Sequence, residues 1–139
     1  MSNADLVRAG YEGFGRGDVH AVIDLFDESI EWYEAEHVAY SVGAPLVGPQ
    51  AVLEQAVAFT RIPEIFEDFR IDVRRIADAG DTVLVEARYR ASNVYATCKP
   101  LDAQVAHVWD FRHGKVIRWQ QYIDTWQMAE VTAFQPVLA

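Results

Sequence analysis

Between Ala103 and Trp126 the chain reads AQVAHVWDFRHGKVIRWQQYIDTW, two β-strands joined at His113-Gly114. A hairpin of this length commits the chain to a sheet and to something that covers it. Strand side chains alternate between faces, so Ala103, Val105, His107, Trp109 and Phe111 share one face of the first strand. On the second strand Val116, Arg118, Gln120, Tyr122, Asp124 and Trp126 share a face. His107 therefore stands in an apolar row, and Asp124 lies between two aromatics. An imidazole and a carboxylate among aromatics suit a small-molecule acid/base pocket, and a satisfied core can contain them too. With the turn at 113–114, His107 falls opposite Gln120, and Asp124 lies four residues further along. At about 3.3 Å per residue that is about 13 Å, so the two are not a hydrogen-bonded dyad in a flat ribbon.

The other face of the last strand carries Ile117, Trp119 and Ile123. An antiparallel strand that is wet on one side does not show such a row. The convex face of the sheet is therefore expected to be covered by a second copy, in a two-fold homodimer.

Upstream, Asn3 can cap a helix in which Val7, Tyr11 and Phe14 recur at helical spacing, ending at Gly15-Arg16-Gly17. Asp18 can cap a second helix, DVHAVIDLFDE. A short strand over 30–34 follows, and 35–50 reads as loop. Pro49 suits the first turn of a third helix reaching about Thr60. Phe69, Ile71 and Val73 alternate, but Ile76 is out of phase, which predicts a bulge near Arg74-Arg75. Gly80-Asp81 turns the chain into the strand of Val83, Val85, Ala87 and Tyr89. The order is α-α-β-α-β-β-β-β: an α+β fold in which three helices from the N-terminal half pack on a strongly bent, mostly antiparallel sheet with a concave hollow. The loops at 35–50 and 92–101 are expected to shape that hollow.

Composition narrows the partners. The chain has 139 residues, 51% of them apolar, which fits one domain over 1–139 with a real core. A formal charge of −9 with 12 Lys plus Arg repels phosphate backbones, so nucleic acid is not expected. No stretch reaches the ~18 apolar residues of a membrane span, and the first residues lack a signal-peptide core, so a cytoplasmic location is expected. Cys98 is the only cysteine. No His-x-His or Cys-x-x-Cys spacing suggests a metal, and no glycine-rich phosphate loop suggests a nucleotide cofactor. None is expected.

The GRGD turn at 15–18, the EWYEAE strand, the GPQAV helix start and the HVWDFRHGKVIRWQQYIDT hairpin together resemble the nuclear transport factor 2-like superfamily. They are most similar to SnoaL-like polyketide cyclases and ketosteroid-isomerase-like proteins. The resemblance implies a cone-shaped α+β barrel. Ketosteroid isomerases place an oxyanion-hole tyrosine seven residues before the aspartate of the Gly-Asp turn, which Tyr11 matches relative to Asp18. Their general base sits at the end of the first strand, where Glu34 stands, and their second oxyanion donor occupies the position of His107. SnoaL-like cyclases instead use an aspartate in a tyrosine-x-aspartate setting at the end of the last strand, which Tyr122-Ile123-Asp124 matches, with His107 as helper. The arginine-x-aspartate pair of limonene-epoxide-hydrolase-type members is missing, because Ala87-Arg88-Tyr89 stands there.

The expected function is cofactor-free acid/base chemistry on a small hydrophobic carbonyl compound through an enolate: isomerisation, aldol-type cyclisation or dehydration. Asp124 or Glu34 would be the base, and Tyr11 and His107 the partners at oxygen. Trp32, Trp109, Tyr122, His37 and Tyr89 are candidates for substrate contact. The competing expectation is a small-ligand-binding or dimerisation module without turnover.

Overall fold

The structure, a computed structural model, describes residues 1–43 and 45–134. Residue 44 of the expected loop and residues 135–139 of the expected domain lie outside the described residues. Helix α1 (Asn3–Gly15) is followed by one turn, α2 (His20–Ile23), and by strand β1 (Phe26–Tyr33). The N-cap of α1 is Ser2 rather than Asn3: Ser2 and Asp5 bond each other's backbone N–H groups in a capping box. The Asn3 side chain instead donates to the Gly80 carbonyl, 2.9 Å away, and ties the helix start to the sheet. The expected second helix closes after one turn, because the chain from Phe26 onward is already strand.

After the short β2 (Leu46–Val47) the expected third helix is broken into α3 (Pro49–Gln55), α4 (Val57–Thr60) and α5 (Ile62–Ile65). Ala56 takes an extended conformation between the first two, and Arg61 leaves helical geometry before the Pro63-bearing turn. The rest is β3 (Phe66–Glu67), β4 (Arg70–Ala79), β5 (Thr82–Val94), β6 (Lys99–Arg112), β7 (Lys115–Ile123) and a final helix α6 (Thr125–Thr132). The alternation predicts a last strand that runs through Trp126; the strand stops at Ile123, and α6, capped by Asp124, takes the place of its end.

The sheet runs β2-β1-β7-β6-β5-β3, with β4 also paired to β5. Among the described residues only the β1–β7 pairing is parallel. The register of β4 on β5 slips between Val73 and Arg75, where the phase of the apolar residues placed a bulge. The helices of the first half cover the concave side, so the α+β architecture is as expected: a strongly curved seven-stranded sheet that does not close on itself. The cone is packed by Val83, Val85, Val105, Phe111 and Val116 from the sheet and by Val7, Val22 and Val52 from the helices, all buried. Among the described residues no helix is long and apolar enough to cross a membrane.

A second bulge was not expected, and it decides what faces the hollow. In the β6–β7 hairpin Phe111 pairs with Val116, but Asp110 pairs with Arg118, which leaves Ile117 as an extra residue. A slip of one residue turns every later side chain to the opposite face. Trp119, Gln121 and Ile123 therefore point into the cone, and Tyr122 points out. The apolar row that argued for a dimer through the convex face is thus largely interior: Trp119 is 3% exposed, and Ile117 and Ile123 are half-buried. The outer face of β5–β7 carries Glu86, Arg88, Arg90, Asp102, Gln104 and Tyr122, and Arg88 pairs with Asp102 at 2.6 Å.

Candidate active site

Inside the cone is a cavity of about 90 Å³. Its floor is the inward face of the sheet, from Trp32 on β1, Tyr89 on β5, His107 and Trp109 on β6, and Trp119 and Gln121 on β7. Tyr11 and Phe14 of α1 form one wall. Val57, Phe59 and Ile62, on the broken helical stretch, form another, and Val38 to Tyr40 of the loop after β1 lie over it. The 35–50 loop thus shapes the hollow as expected. The 92–101 segment does not, because it is the end of β5, a tight turn and the start of β6. The contribution of α4 and α5 went unread, since a helix expected to run straight to Thr60 has no reason to fold back over the sheet.

The polar groups form one connected chain. The indole N–H of Trp109 donates to the Tyr11 hydroxyl at 3.0 Å. That hydroxyl lies 2.5 Å from His107 Nδ1, and the Tyr89 hydroxyl lies 2.6 Å from His107 Nε2. Gln121 Nε2 donates to the Tyr89 hydroxyl at 3.0 Å, and Gln121 Oε1 accepts from the Ala35 N–H at 3.1 Å. Stacking holds the members in place: the Tyr11 and His107 rings are 4° from parallel with centroids 5.8 Å apart, and the Trp109 edge meets Tyr11. Trp119 lies against His107, and it stacks on Trp32 with centroids 3.6 Å apart. The indole N–H groups of Trp32 and Trp119 have no acceptor among the described protein atoms.

Electrostatics follow from burial. His107 is 3% exposed with no carboxylate bonded to it, and burial alone pushes its pKa down to about 3. The ring is neutral at physiological pH. Burial raises the Tyr11 and Tyr89 hydroxyls, so both stay protonated, although the Trp109 and Gln121 N–H groups oppose the shift. Among the described residues Glu34 is the one carboxylate that lines the cavity. Burial raises its pKa above the usual value, against hydrogen bonds from the Val42 N–H and Ser41. A carboxylate that is partly desolvated is a better base than one in water, and neutral hydroxyls and an imidazole are hydrogen-bond donors without charge.

The structure therefore brings together Tyr11, Glu34, His107, Trp32, Trp109 and Tyr89. It separates Asp124, Tyr122 and His37 from them. Asp124 is the N-cap of α6: its side chain accepts from the Gln127 N–H at 3.0 Å, and it borders the outer groove with Arg88 and Asp102. Tyr122 is 57% exposed on that outer face. His37 is exposed in the loop and does not line the cavity. His37 stands in the loop after β1, and the other two placements have a local cause in β7: the Ile117 bulge turns Tyr122 to the outer face, and the strand ends at Ile123, so that Asp124 caps α6. Gln121 went unread for the same reason. Among the described residues no three His, Cys, Asp or Glu side chains are grouped to hold a metal ion.

No curated protein sequence matches the chain. Solved structures do. A nuclear transport factor 2-like protein from Burkholderia thailandensis superposes with a TM-score of 0.85 at 26% identity, over 98% of this chain and 99% of that one. TerC, co-crystallised with polyporic acid, gives 0.80 at 22% identity, over 94% of this chain and 98% of its own. A Catenulispora acidiphila protein with a ketosteroid isomerase-like fold, in complex with trimethylamine, gives 0.73 at 17% identity, over 94% of each chain. The SnoaL-like domain family matches residues 7–119. The chain belongs to the SnoaL-like family, within the nuclear transport factor 2-like superfamily.

Proposed function

We propose that the protein is a cofactor-free acid/base enzyme that moves a proton next to a carbonyl group in a small hydrophobic compound, with Glu34 as base. The observation that carries this reading is the pairing of one half-buried carboxylate with a chain of neutral donors around an aromatic-lined cavity. Glu34 takes the proton from the α-carbon, the C–H electron pair enters the carbon framework, and negative charge gathers on the carbonyl oxygen. A tyrosine hydroxyl of the Tyr11–His107–Tyr89 chain donates to that oxygen. Return of the proton from Glu34 to a different carbon completes an isomerisation; attack of the enolate carbon on a second carbonyl breaks its C=O π bond, and transfer of the Glu34 proton to the resulting alkoxide completes an aldol-type closure. The assignment of base moves from Asp124 to Glu34 because Asp124 is engaged at the helix cap outside the cavity.

Cavity size bears on the substrate. About 90 Å³ is small beside the ~300–1,000 Å³ of sites for drug-sized ligands, and favours a ketone of about one ring over a polycycle. The test is deuterium exchange from heavy water into cyclohexanones and cyclohexenones, followed by proton NMR. Exchange above background in wild type and its loss in Glu34→Gln supports the reading; exchange that survives in Glu34→Gln refutes it.

A second reading is binding without turnover, and one feature favours it. A lone carboxylate in an aromatic cavity also suits a small alkylammonium ion, held by charge and ring faces, and a structural neighbour was solved with trimethylamine. Micromolar binding of tetramethylammonium, abolished in Glu34→Gln, with no exchange into any ketone, would establish this reading in place of the first.

A further inference from the structure

We infer that Tyr89, rather than Tyr11, donates its hydroxyl proton to the ligand's oxygen, and that His107 and Gln121 are the positioning residues that leave this proton free. The inference deepens the enolate reading, and it rests on that reading for the identity of the oxygen.

Counting protons along the chain gives the argument. Both ends of the chain can only donate inward. An indole N–H has no acceptor capacity, so Trp109 donates to Tyr11. At the other end the Ala35 N–H can only donate, so the oxygen of Gln121 must face Ala35 and its NH₂ must face Tyr89. Between the ends lie two hydroxyls and a neutral imidazole, which together carry three protons. The Tyr11–His107 and His107–Tyr89 contacts use two of them. One hydroxyl proton is always left over, and the tautomer of His107 decides whose it is. If Nδ1 carries the ring proton, Tyr11 accepts twice and its own proton is free, while Tyr89 is spent on Nε2. If Nε2 carries it, Tyr11 is spent on Nδ1, and Tyr89 accepts from both the ring and Gln121 with its proton free.

The position of the base selects the second arrangement. Gln121 binds the backbone N–H of the residue next to Glu34 with one end and the Tyr89 hydroxyl with the other, so a single side chain spaces base and donor. The charge of Glu34 is also felt at the Tyr89 hydroxyl. A free O–H dipole is stabilised when its proton faces that carboxylate, and the same polarity favours Nε2–H. In an enolising ketone the carbonyl oxygen is two bonds from the carbon that loses its proton, so the donor must stand beside the base. Tyr89 accepts two hydrogen bonds in this state, which stabilises charge that builds on its oxygen and makes it the stronger donor. Tyr11 and Trp109 then orient the imidazole and do not touch the ligand's oxygen.

The test uses protein labelled with ¹⁵N in histidine, since long-range ¹H–¹⁵N spectra identify which ring nitrogen is protonated. The expected result is Nε2–H for His107 in the free protein and in the complex with cyclohexane-1,3-dione, a one-ring enolate probe. Tyr89→Phe should weaken the dione by about tenfold or more, and Tyr11→Phe by less than about threefold. Gln121→Met should weaken it severalfold, shift the two His107 nitrogen signals toward a mixture of tautomers, and leave the fold intact by circular dichroism. An Nδ1–H tautomer in the free protein overturns the inference, as does a loss in Tyr11→Phe equal to that in Tyr89→Phe. Neither result depends on turnover. Failure of the enolate reading would show instead in the exchange experiment with Glu34→Gln.

Discussion

His107 stands opposite Gln121 in the β6–β7 ladder, and this pairing puts an amide rather than a carboxylate beside the imidazole. The consequence is chemical. An aspartate at that point would hold the ring as a cation and make it a proton donor. An amide bonded to a neighbouring tyrosine leaves the ring neutral, with two neutral hydroxyls as its only hydrogen-bond partners among the described residues. In the proposed chemistry the base is then the carboxylate that lines the cavity, Glu34.

Asp124 serves structure. Its side chain accepts from the Gln127 N–H, and its carbonyl receives the Met128 N–H that starts α6. Asp124→Ala should lower stability by about 1 kcal/mol in urea denaturation. Asp124→Asn, which keeps a good cap, should cost little. Both should leave ketone exchange within about twofold of wild type. A loss of more than tenfold in a folded Asp124 variant would return the acid/base role to this residue.

What could be read in the sequence, and what could not, follows from local rules. The clean alternation of β5 and the inward row of β6, including His107 and Trp109, were legible because period 2 runs through them without a break. The phase slip at Arg74-Arg75 was legible because apolar residues flank it on both sides. The Ile117 bulge was not, since Val116 and Ile117 are both apolar and either can continue the row. The signal lay further on: Trp119 and Ile123 are the large apolar residues of β7, and they join the inward face of Val116 only if one residue is extra. The helix after it also left a mark. Asp124 with Gln127 three residues later is a capping pattern, and Met128, Val131 and Thr132 recur at helical spacing on its buried side. Glu34 and Tyr11 were identified by resemblance to known families; no periodicity in the chain singles them out.

Gly13 sets the seat of α1. A Cβ there would lie 2.2 Å from the Ala21 Cβ, so the helix and the turn of α2 touch through a bare backbone. Gly13→Ala should destabilise by about 1–3 kcal/mol through overpacking, despite the helix-propensity gain of about 1 kcal/mol. Gly15→Ala, where an added methyl meets nothing within 4 Å, should be neutral or mildly stabilising and serves as the control. Because Tyr11 is one helical half-turn from Gly13, any folded Gly13→Ala protein should also show altered His107 ring shifts, and Gly15→Ala should not.

Glu34→Gln should do two opposite things. Exchange into ketones should fall by about 10²–10⁴, the contribution of a positioned base. Binding of the cyclohexane-1,3-dione enolate should tighten, because the amide removes a negative charge that faces an anion in a partly desolvated cavity. Calorimetric titration at neutral pH reads the second effect. Equal affinity in both proteins would mean that the anion sits away from residue 34.

Stability should depend on pH with opposing contributions from two cavity residues. His107 is pushed from an ordinary 6.5 down to about 3, so between those values the unfolded chain binds a proton that the folded protein refuses. Its contribution is fully present above about 6.5 and is lost as pH falls toward about 3, with a slope of at most about 1.4 kcal/mol per pH unit. Glu34 acts in the other direction. Its pKa is raised above 4.5, so the folded protein holds a proton that the unfolded chain releases, and stability declines as pH rises through that interval. The groups facing His107 are Tyr11 and Tyr89, both protonated throughout this range, so the two slopes are the cavity's own. In urea denaturation from pH 3.5 to 7, Glu34→Gln should therefore gain stability with rising pH more steeply than wild type. The His107 ring signals should not titrate between pH 8 and 4. A His107 that titrates near 6.5 in the folded protein would show that the ring is solvated and that the neutral donor chain does not exist.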